Sequence, residues 1–253
     1  MGVNNSTGDA ILFLDDDTLL ESTVLSTINA FFADHSKAMG VQVNIISSDT
    51  SHNSLLNRME NVLNKLFLLT SFEPNKLSVH RSGLSIFPRP LTTVIVAQRL
   101  SGCCSCYRRE VFTEFLFDEN LKRWAFMEDI DFSYRIHSKY QNSLYAVPYA
   151  TVFHKGTPQA RLPPKSRISM SIIYWFYVFF KDIFQASVVN LIAFLWSLCG
   201  NLVIAISELI VKRAPKQNWL SIIYLLKAYA SGLVNLRRIL AGRLEFFNKT
   251  LRA

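Results

Sequence analysis

The stretch GDAILFLDDDT, residues 8–18, runs five apolar residues into three consecutive aspartates, Asp15, Asp16 and Asp17. A short, continuous apolar run over residues 10–14 is typical of a buried strand. Ligands of open α/β sheets bind at the carboxyl ends of strands, where these carboxylates would lie. Their oxygens suit Mg²⁺ or Mn²⁺, and a divalent ion would offset their mutual repulsion. The alternative is a solvated acidic turn that caps the next helix.

Residues 1–160 alternate strand-like and helix-like patterns, which predicts an α/β domain with a parallel or mixed sheet. Two helices are predicted there, one capped by Ser22 and one over residues 55–70, because apolar residues recur at helical spacing in both. Besides residues 10–14, the predicted strands are 38–45, 92–97, 102–107, 143–148 and 150–154.

The composition changes near residue 160, which predicts an α/β domain over 1–160, a basic, proline-rich linker over 161–167 and a helical region over 168–253. A membrane span needs roughly 20 apolar residues. The apolar segment 188–211 is long enough. The segment 168–183 is marginal and fits a short span, a re-entrant helix or an interfacial helix. The alternative for both is a buried helical pair in a soluble protein.

Charge and hydropathy agree with membrane contact. The chain is 50% hydrophobic, its mean hydropathy is +0.19 and its net charge is +8 at pH 7, which suits anionic partners. Residues 219–240 set basic side chains against apolar ones, as a surface-lying helix does. We therefore expect a membrane-associated protein. If both apolar segments insert, their basic flanks fall on one side, and the positive-inside rule predicts that this side, with the domain over residues 1–160, is cytosolic. The same concentration of charge around apolar helices argues against nucleic-acid binding.

The cysteines follow neither a disulfide nor a zinc pattern. Cys103, Cys104 and Cys106 lie close together, and Cys199 stands apart in an apolar segment. No second Cys/His pair at zinc-binding spacing accompanies the cluster. We therefore expect small buried thiols in a strand.

A second acidic group lies within four residues at the start of a predicted helix: Glu128, Asp129 and Asp131. Carboxylates are favoured at this position by the helix dipole. Asp131 and Arg135 have the spacing of an i,i+4 ion pair, which predicts a structural role for Asp131. An acid held near a metal–diphosphate site can also act as a general base toward an incoming hydroxyl.

These motifs occur in an order that resembles that of a known protein family. GDAILFLDDD, GCCSCYRREVF, FDE, MEDIDFSYR and VFHKG follow one another as in family 2 glycosyltransferases of the GT-A fold. The chain looks most similar to rhamnosyl- and galactofuranosyl-transferase-like members of cell-envelope synthesis. The resemblance covers about residues 2–160 and implies a GT-A-like, Rossmann-related mixed sheet flanked by helices, followed by membrane-associated C-terminal helices.

The resemblance also implies roles at the first acidic motif. Asp17 matches the metal-binding aspartate of the DXD-type motif. Asp15 and Asp16 match positions that contact the nucleotide or the metal. His154 matches a histidine that completes the metal or diphosphate site in many relatives, and its alternative is an ordinary histidine at a strand end.

Five further residues receive implied roles. Asp129 matches the base that deprotonates the acceptor hydroxyl, and Glu128 beside it would bind the acceptor. Gly102 matches a glycine where the backbone approaches the donor sugar. Lys155 and Arg161 lie in the matching mobile loop, where they would contact the diphosphate. Their alternative is a place in a linker or against lipid.

The N-terminal part of the sequence departs from the family. In family members, a βαβ segment that binds the nucleotide base precedes the strand that ends in the aspartates. Met1 stands just before that strand, so the resemblance predicts an N-terminally truncated domain without most of the base pocket. The leading function is a metal-dependent, inverting glycosyltransferase that acts on a nucleotide-sugar donor and a glycan or lipid-linked acceptor. The alternative is a non-catalytic remnant or partner subunit. A metal-dependent phosphatase or nuclease would need a denser His/Asp set.

Overall fold

A computed structural model describes residues 2–47, 55–156, 163–211 and 215–252. The strands are β1 (Ala10–Leu14), β2 (Thr18–Leu20), β3 (Gly40–Ser47), β4 (Ser71–Glu73), β5 (Ser78–Val79), β6 (Ser85–Pro88), β7 (Ile95–Val96), β8 (Cys104–Arg108) and β9 (Leu144–His154). The α-helices are α1 (Gly2–Asn5), α2 (Val24–Asp34), α3 (Leu55–Leu66), α4 (Glu128–Lys139), α5 (Pro164–Val178), α6 (Val188–Val211), α7 (Pro215–Val234), α8 (Leu236–Leu240) and α9 (Glu245–Asn248).

The central sheet is mixed, as the sequence predicts. Its strand order is β1-β8-β3-β9-β2, and β7 also pairs with β9. The β3–β9 pair is parallel, whereas the pairs that β8 forms with β1 and β3 are antiparallel. Within the described ranges β1 pairs with β8 alone, and Leu14 at its end is 41% exposed. The expectation of a fully buried first strand is therefore wrong, because β1 forms an edge.

The two strands predicted over 143–148 and 150–154 are one long strand, β9. It keeps parallel register with β3 through Val147 and resumes at Thr151, so three residues bulge out between them. The first of the three is Pro148, which has no N–H to donate to the ladder. The bulge lets β9 continue to His154, where it pairs with β2.

Helix α2 covers one face of this sheet. It begins at Val24 and has no side-chain cap, so the expected cap by Ser22 is not formed. Its buried residues Val24, Ile28, Phe31 and Phe32 share a hydrophobic cluster with residues of β3 and β8. That cluster contains Cys103, Cys104 and Cys106, which confirms the expectation of buried thiols, whereas Cys199 is exposed.

The C-terminal half of helix α5 packs into the protein on all sides. Residues 172–178 are all buried, in a cluster that also holds Leu121 and Met127 from the segment before α4 and Ile130 from its first turn. The indole of Trp175 donates a 2.7 Å hydrogen bond to the carbonyl of Ser82. Of the marginal apolar segment 168–183, this helical part belongs to the protein's own core.

The later helices are more exposed. In the parts of the chain that are described, α6 is the one helix long and apolar enough to cross a membrane, and 22% of its most apolar window is buried. The predicted amphipathic helix over 219–240 is two helices, α7 and α8, separated at Asn235. Side chains 215–218, at the start of α7, lie outside the described part, as do residues 212–214.

Candidate active site

The acidic turn between β1 and β2 is fixed by backbone hydrogen bonds. The amide of Asp15 donates to the carbonyl of Cys103 over 3.2 Å, at the start of β8. The hydroxyl of Thr18 donates to the carbonyl of Asp15 over 2.7 Å and closes the turn. The amide of Lys155 donates to the carbonyl of Asp17 over 3.0 Å. The turn is thereby held between the ends of two strands.

His154 lies against this turn because β9 pairs with β2, with His154 opposite Thr18. Its Nε2 atom is 3.0 Å from Oδ1 of Asp17 and 3.7 Å from Oδ2 of Asp15. The structure thus brings together the three side chains that the resemblance assigns to a metal. Asp16, between the two aspartates, is exposed.

The donor set fits a hard divalent cation. Burial raises the pKa of Asp15, and the charges of Asp17 and Asp129 add to it, although His154 acts in the opposite direction. A cation at this position would relieve that repulsion. Two carboxylates and an imidazole are ligands that Mn²⁺ or Mg²⁺ accepts.

Cys103 also lies at this cluster, which the sequence did not predict. One ligand atom each from Asp15, Cys103 and His154 lies within 4.8 Å of the others. Burial, followed by the charge of Asp15, raises the pKa of the Cys103 thiol to about 12, so the thiol keeps its proton near neutral pH. A protonated, soft sulfur is a poor ligand for Mg²⁺ or Mn²⁺. The sequence feature that marks Cys103 is the CC pair directly after Gly102.

The second acidic group begins helix α4, as predicted, after Met127 in a left-handed conformation with φ of 74°. The Oδ2 atom of Asp129 accepts hydrogen bonds from Arg99 and from the amide of Gly102, the latter over 3.2 Å. The Oδ1 atom accepts from the amide of Ile130 over 2.8 Å. Gly102 therefore lies beside the candidate base, where its backbone helps to orient the carboxylate.

Arg99 is a residue of the candidate site that the sequence did not predict. Its side chain is 2% exposed and ion-paired with Asp129. Its guanidinium also donates to the hydroxyl of Ser85 over 2.9 Å and to the carbonyl of Leu100 over 3.0 Å. The signal was present, because a charged residue two positions after the apolar run TTVIVA, if buried, needs a partner for its charge.

Glu128 carries the site's most perturbed carboxyl group. Burial, with the neighbouring charges of Asp129, Asp131 and Asp15, raises its pKa to about 7. Asp15 also feels the charge of Asp129, so the two acidic groups share one electrostatic field. Glu128 can therefore exchange a proton near neutral pH.

Asp131 has the structural role that its spacing predicted. It is fully buried, and the guanidinium of Arg135 donates to it over 2.8 Å. It also pairs with Lys181, just after α5, which donates to Asp118 over 2.6 Å as well. These pairs join helix α4 to the start of the C-terminal helical region.

Of the two basic residues assigned to the diphosphate, Lys155 lies in the described part of the chain and Arg161 does not. Lys155 is exposed, and its backbone amide donates to the carbonyl of Asp17. Arg161 lies outside the described residues, together with the rest of 157–162.

Two comparisons with known proteins bear on this geometry. A family model described as "Glycosyltransferase like family 2" matches residues 1–168, well over half of the chain. The match begins before the acidic turn and continues beyond His154, so it contains every site residue described above. No curated protein matches the chain.

Proposed function

The chain belongs to glycosyltransferase-like family 2, and from this premise we propose that it transfers a sugar from a nucleotide-sugar donor to a glycan acceptor with inversion of the anomeric configuration. The observation that carries the proposal is the convergence of His154 and Asp17, with 3.0 Å between Nε2 and Oδ1, in the same electrostatic field as Glu128 and Asp129. One end of the sheet thus offers a metal–diphosphate site and a proton acceptor side by side.

Asp15, Asp17 and His154 are the residues that would hold Mg²⁺ or Mn²⁺. Bound there, such an ion supplies Lewis-acid stabilisation of the charge that develops on the departing diphosphate. Asp16 is exposed at the same turn and would face the nucleotide. Lys155, next to His154, and Arg161 would add positive charge near the diphosphate.

Asp129 is proposed as the general base. The guanidinium of Arg99 and the amide of Gly102 both donate to Oδ2 of Asp129 and hold the carboxylate in one orientation. Asp129 takes the proton of the acceptor hydroxyl as that oxygen bonds to the anomeric carbon. The bond from the same carbon to the diphosphate oxygen breaks on the opposite face, which inverts the configuration. Glu128 would bind a second acceptor hydroxyl.

The acceptor is proposed to be lipid-linked and presented at the cytosolic leaflet, in the synthesis of a cell-envelope polysaccharide or glycolipid. This part is supported by α6, whose apolar window is largely unburied, and by the net charge of +8. A protein that works on a lipid-carried glycan gains from residence at the surface where that carrier is embedded.

A non-catalytic partner subunit is the second candidate. It is favoured by the ion pair itself, because Arg99 already occupies an oxygen of Asp129 that a base would offer to its substrate. In this version the fold and the helices would be retained for assembly, and donor turnover would not occur.

The test is a donor screen with the full chain in detergent micelles. Nucleotide sugars, including rhamnose and galactofuranose donors, are offered with a lipid-linked glycan acceptor and with Mg²⁺, Mn²⁺ or a chelator. We expect metal-dependent release of nucleoside diphosphate and a product of inverted configuration by NMR. Asp129→Asn should bind donor but not transfer it. Donor binding without turnover in the unaltered chain would instead support the partner subunit, and retained configuration would overturn the mechanism.

A further inference from the structure

Helix α6 leaves one apolar stripe uncovered along its length. The members of the stripe follow one another at helical spacing and are between 44 and 68% exposed: Val188, Ile192, Leu195, Val203 and Ile206. Cys199 belongs to the same stripe and is also exposed. A stripe this long on a monomer marks a surface that meets something apolar.

Helices α3 and α7, which both contact α6, carry similar stripes. On α3, Met59, Val62 and Leu66 are between 58 and 64% exposed. On α7, the exposed apolar side chains include Trp219, Ile223, Leu226 and Leu233. The hydroxyl of Tyr229 on α7 donates to the carbonyl of Leu198 on α6 over 2.9 Å, so these helices are in direct contact.

The end of α3 meets α6 at its middle. The indole of Trp196 donates to the carbonyl of Leu66 over 2.8 Å, and the hydroxyl of Ser197 donates to that of Phe67 over 2.6 Å. Gly200 lies so close to the Phe67 ring that an added Cβ would stand 2.2 Å from it. Helix α6 runs over Val188–Val211, so these contacts fall at its centre.

This contact conflicts with a transmembrane position for α6. The centre of a spanning helix lies about 15 Å below each surface of the hydrocarbon core. Leu66 and Phe67 would then lie at that depth as well, together with the segment around them. That segment includes Lys65 and Lys76, which are ion-paired with Glu73 at the protein surface. Placing exposed charges in hydrocarbon costs at least several kcal/mol.

We propose that α6 lies in the plane of one leaflet and that α3, α6 and α7 together form a monotopic docking surface for an anionic lipid bilayer. Lying in the plane lets the apolar stripes enter the acyl boundary while Lys65 remains in the headgroup region. Trp196 and Trp219 are 46 and 59% exposed, as expected of residues at a membrane interface.

Charge supports the choice of an anionic surface. Lys227 on α7 and Arg237 and Arg238 on α8 are exposed next to the apolar stripes. Basic side chains beside an apolar stripe are typical of helices that lie on anionic lipid. The inference rests on the membrane location proposed above and deepens it, because it extends the membrane contact to α3, a helix of the catalytic domain.

The native cysteines provide the test. Cys199 is exposed on the stripe of α6, whereas Cys103, Cys104 and Cys106 are buried. A maleimide spin label on the full chain should therefore report from Cys199 alone. On vesicles that contain phosphatidylglycerol, we expect power saturation to place the label about 5–10 Å deep, at the acyl boundary. A label at the bilayer centre, or one exposed to bulk water, would overturn the proposal.

Substitutions on α3 test its share of the surface. Met59→Asp should weaken vesicle binding about tenfold, which corresponds to roughly one lost apolar anchor. Glu60→Gln, on the same helix, is the matched control and should bind at least as well as the unaltered chain. Circular dichroism checks folding, and Met59→Gln serves if the aspartate variant is unstable. Unchanged binding by a folded variant would exclude α3 from the surface.

Transfer to a water-soluble acceptor analogue separates this inference from the proposed function. Transfer that persists with the label at the bilayer centre would leave the glycosyltransferase proposal standing and overturn the in-plane position. A label about 5–10 Å deep on a chain that turns over no donor would support the in-plane position of α6 and overturn the glycosyltransferase proposal.

Discussion

The guanidinium of Arg99 lies against the carboxylate of Asp129, and this pair ties the first turn of α4 to the segment that leads into β8. Arg99 is almost fully buried, whereas 28% of the Asp129 side chain is exposed. The arrangement holds a carboxylate in one orientation and leaves part of it open to a substrate. Such positioning is what a general base requires.

Arg99→Met tests that role. Without the guanidinium, Asp129 loses its orientation, so we expect kcat to fall about 100-fold while the KM for the donor changes little. Steady-state kinetics separate the two parameters. Arg89→Met is the control, because Arg89 stacks on Phe72 outside the site. An equal loss in the control, or a loss confined to KM, would contradict the positioning role.

Glu128→Gln should raise stability above neutral pH. In the folded protein the pKa of Glu128 is raised from 4.5 to about 7, so the fold keeps a proton that the unfolded chain has lost. Stability therefore falls as pH rises through this window. Above it, the substitution should recover on the order of 1 to 3 kcal/mol, and below it almost nothing.

Urea unfolding of both proteins at acidic and alkaline pH measures this difference. Glu110→Gln, at an exposed glutamate, is the control and should leave the free energy of unfolding almost unchanged. A gain for Glu128→Gln that is equal at every pH would mean that titration of Glu128 is not its source.

Asp17→Asn should weaken Mn²⁺ binding by about 10- to 100-fold, because it removes a charged ligand atom next to His154. Asp16→Asn, at the exposed neighbour, should leave Mn²⁺ affinity almost unchanged and alter donor affinity instead. Isothermal titration of the metal, followed by titration of the donor, distinguishes the two. Equal effects of both substitutions on metal affinity would contradict the assigned ligand set.

Lys181→Met should destabilise the fold by about 3 kcal/mol, because it leaves the buried carboxylate of Asp131 with Arg135 as its remaining cation and removes a partner of Asp118. The free energy of unfolding in urea measures the loss. Lys139→Met, which breaks an exposed pair with Glu114, should leave stability unchanged. A loss confined to membrane binding would show that Lys181 does not support α4.

The features predicted from sequence are those that local pattern determines. β1 and α6 have the predicted bounds, and α4 begins at Glu128 as expected, because apolar runs and helix starts depend on neighbouring residues. The i,i+4 pair of Asp131 and Arg135 is local in the same sense. His154 lies beside the acidic turn, a proximity that the resemblance implied and no local pattern predicts.

The remaining features depend on distant parts of the chain. α5 and α6 are both apolar, yet α5 is enclosed and α6 is not, because the residues that cover them come from elsewhere. Arg99 meets Asp129 thirty residues later in the chain, and Lys181 reaches Asp131 from the helical region. Such pairings have no local period, so no single-sequence pattern predicts them.

Because β9 bulges between Val147 and Thr151, the position of His154 depends on the number of residues in that segment more than on their identity. Pro148 and the two residues after it stand outside the ladder, and Thr151 resumes the pairing that carries His154 to Asp17. Successive residues of a strand face opposite sides, so a shift of one position in that pairing would turn His154 away from the aspartates. An insertion or deletion between Val147 and Thr151 would therefore separate His154 from Asp15 and Asp17 while leaving both aspartates in the sequence.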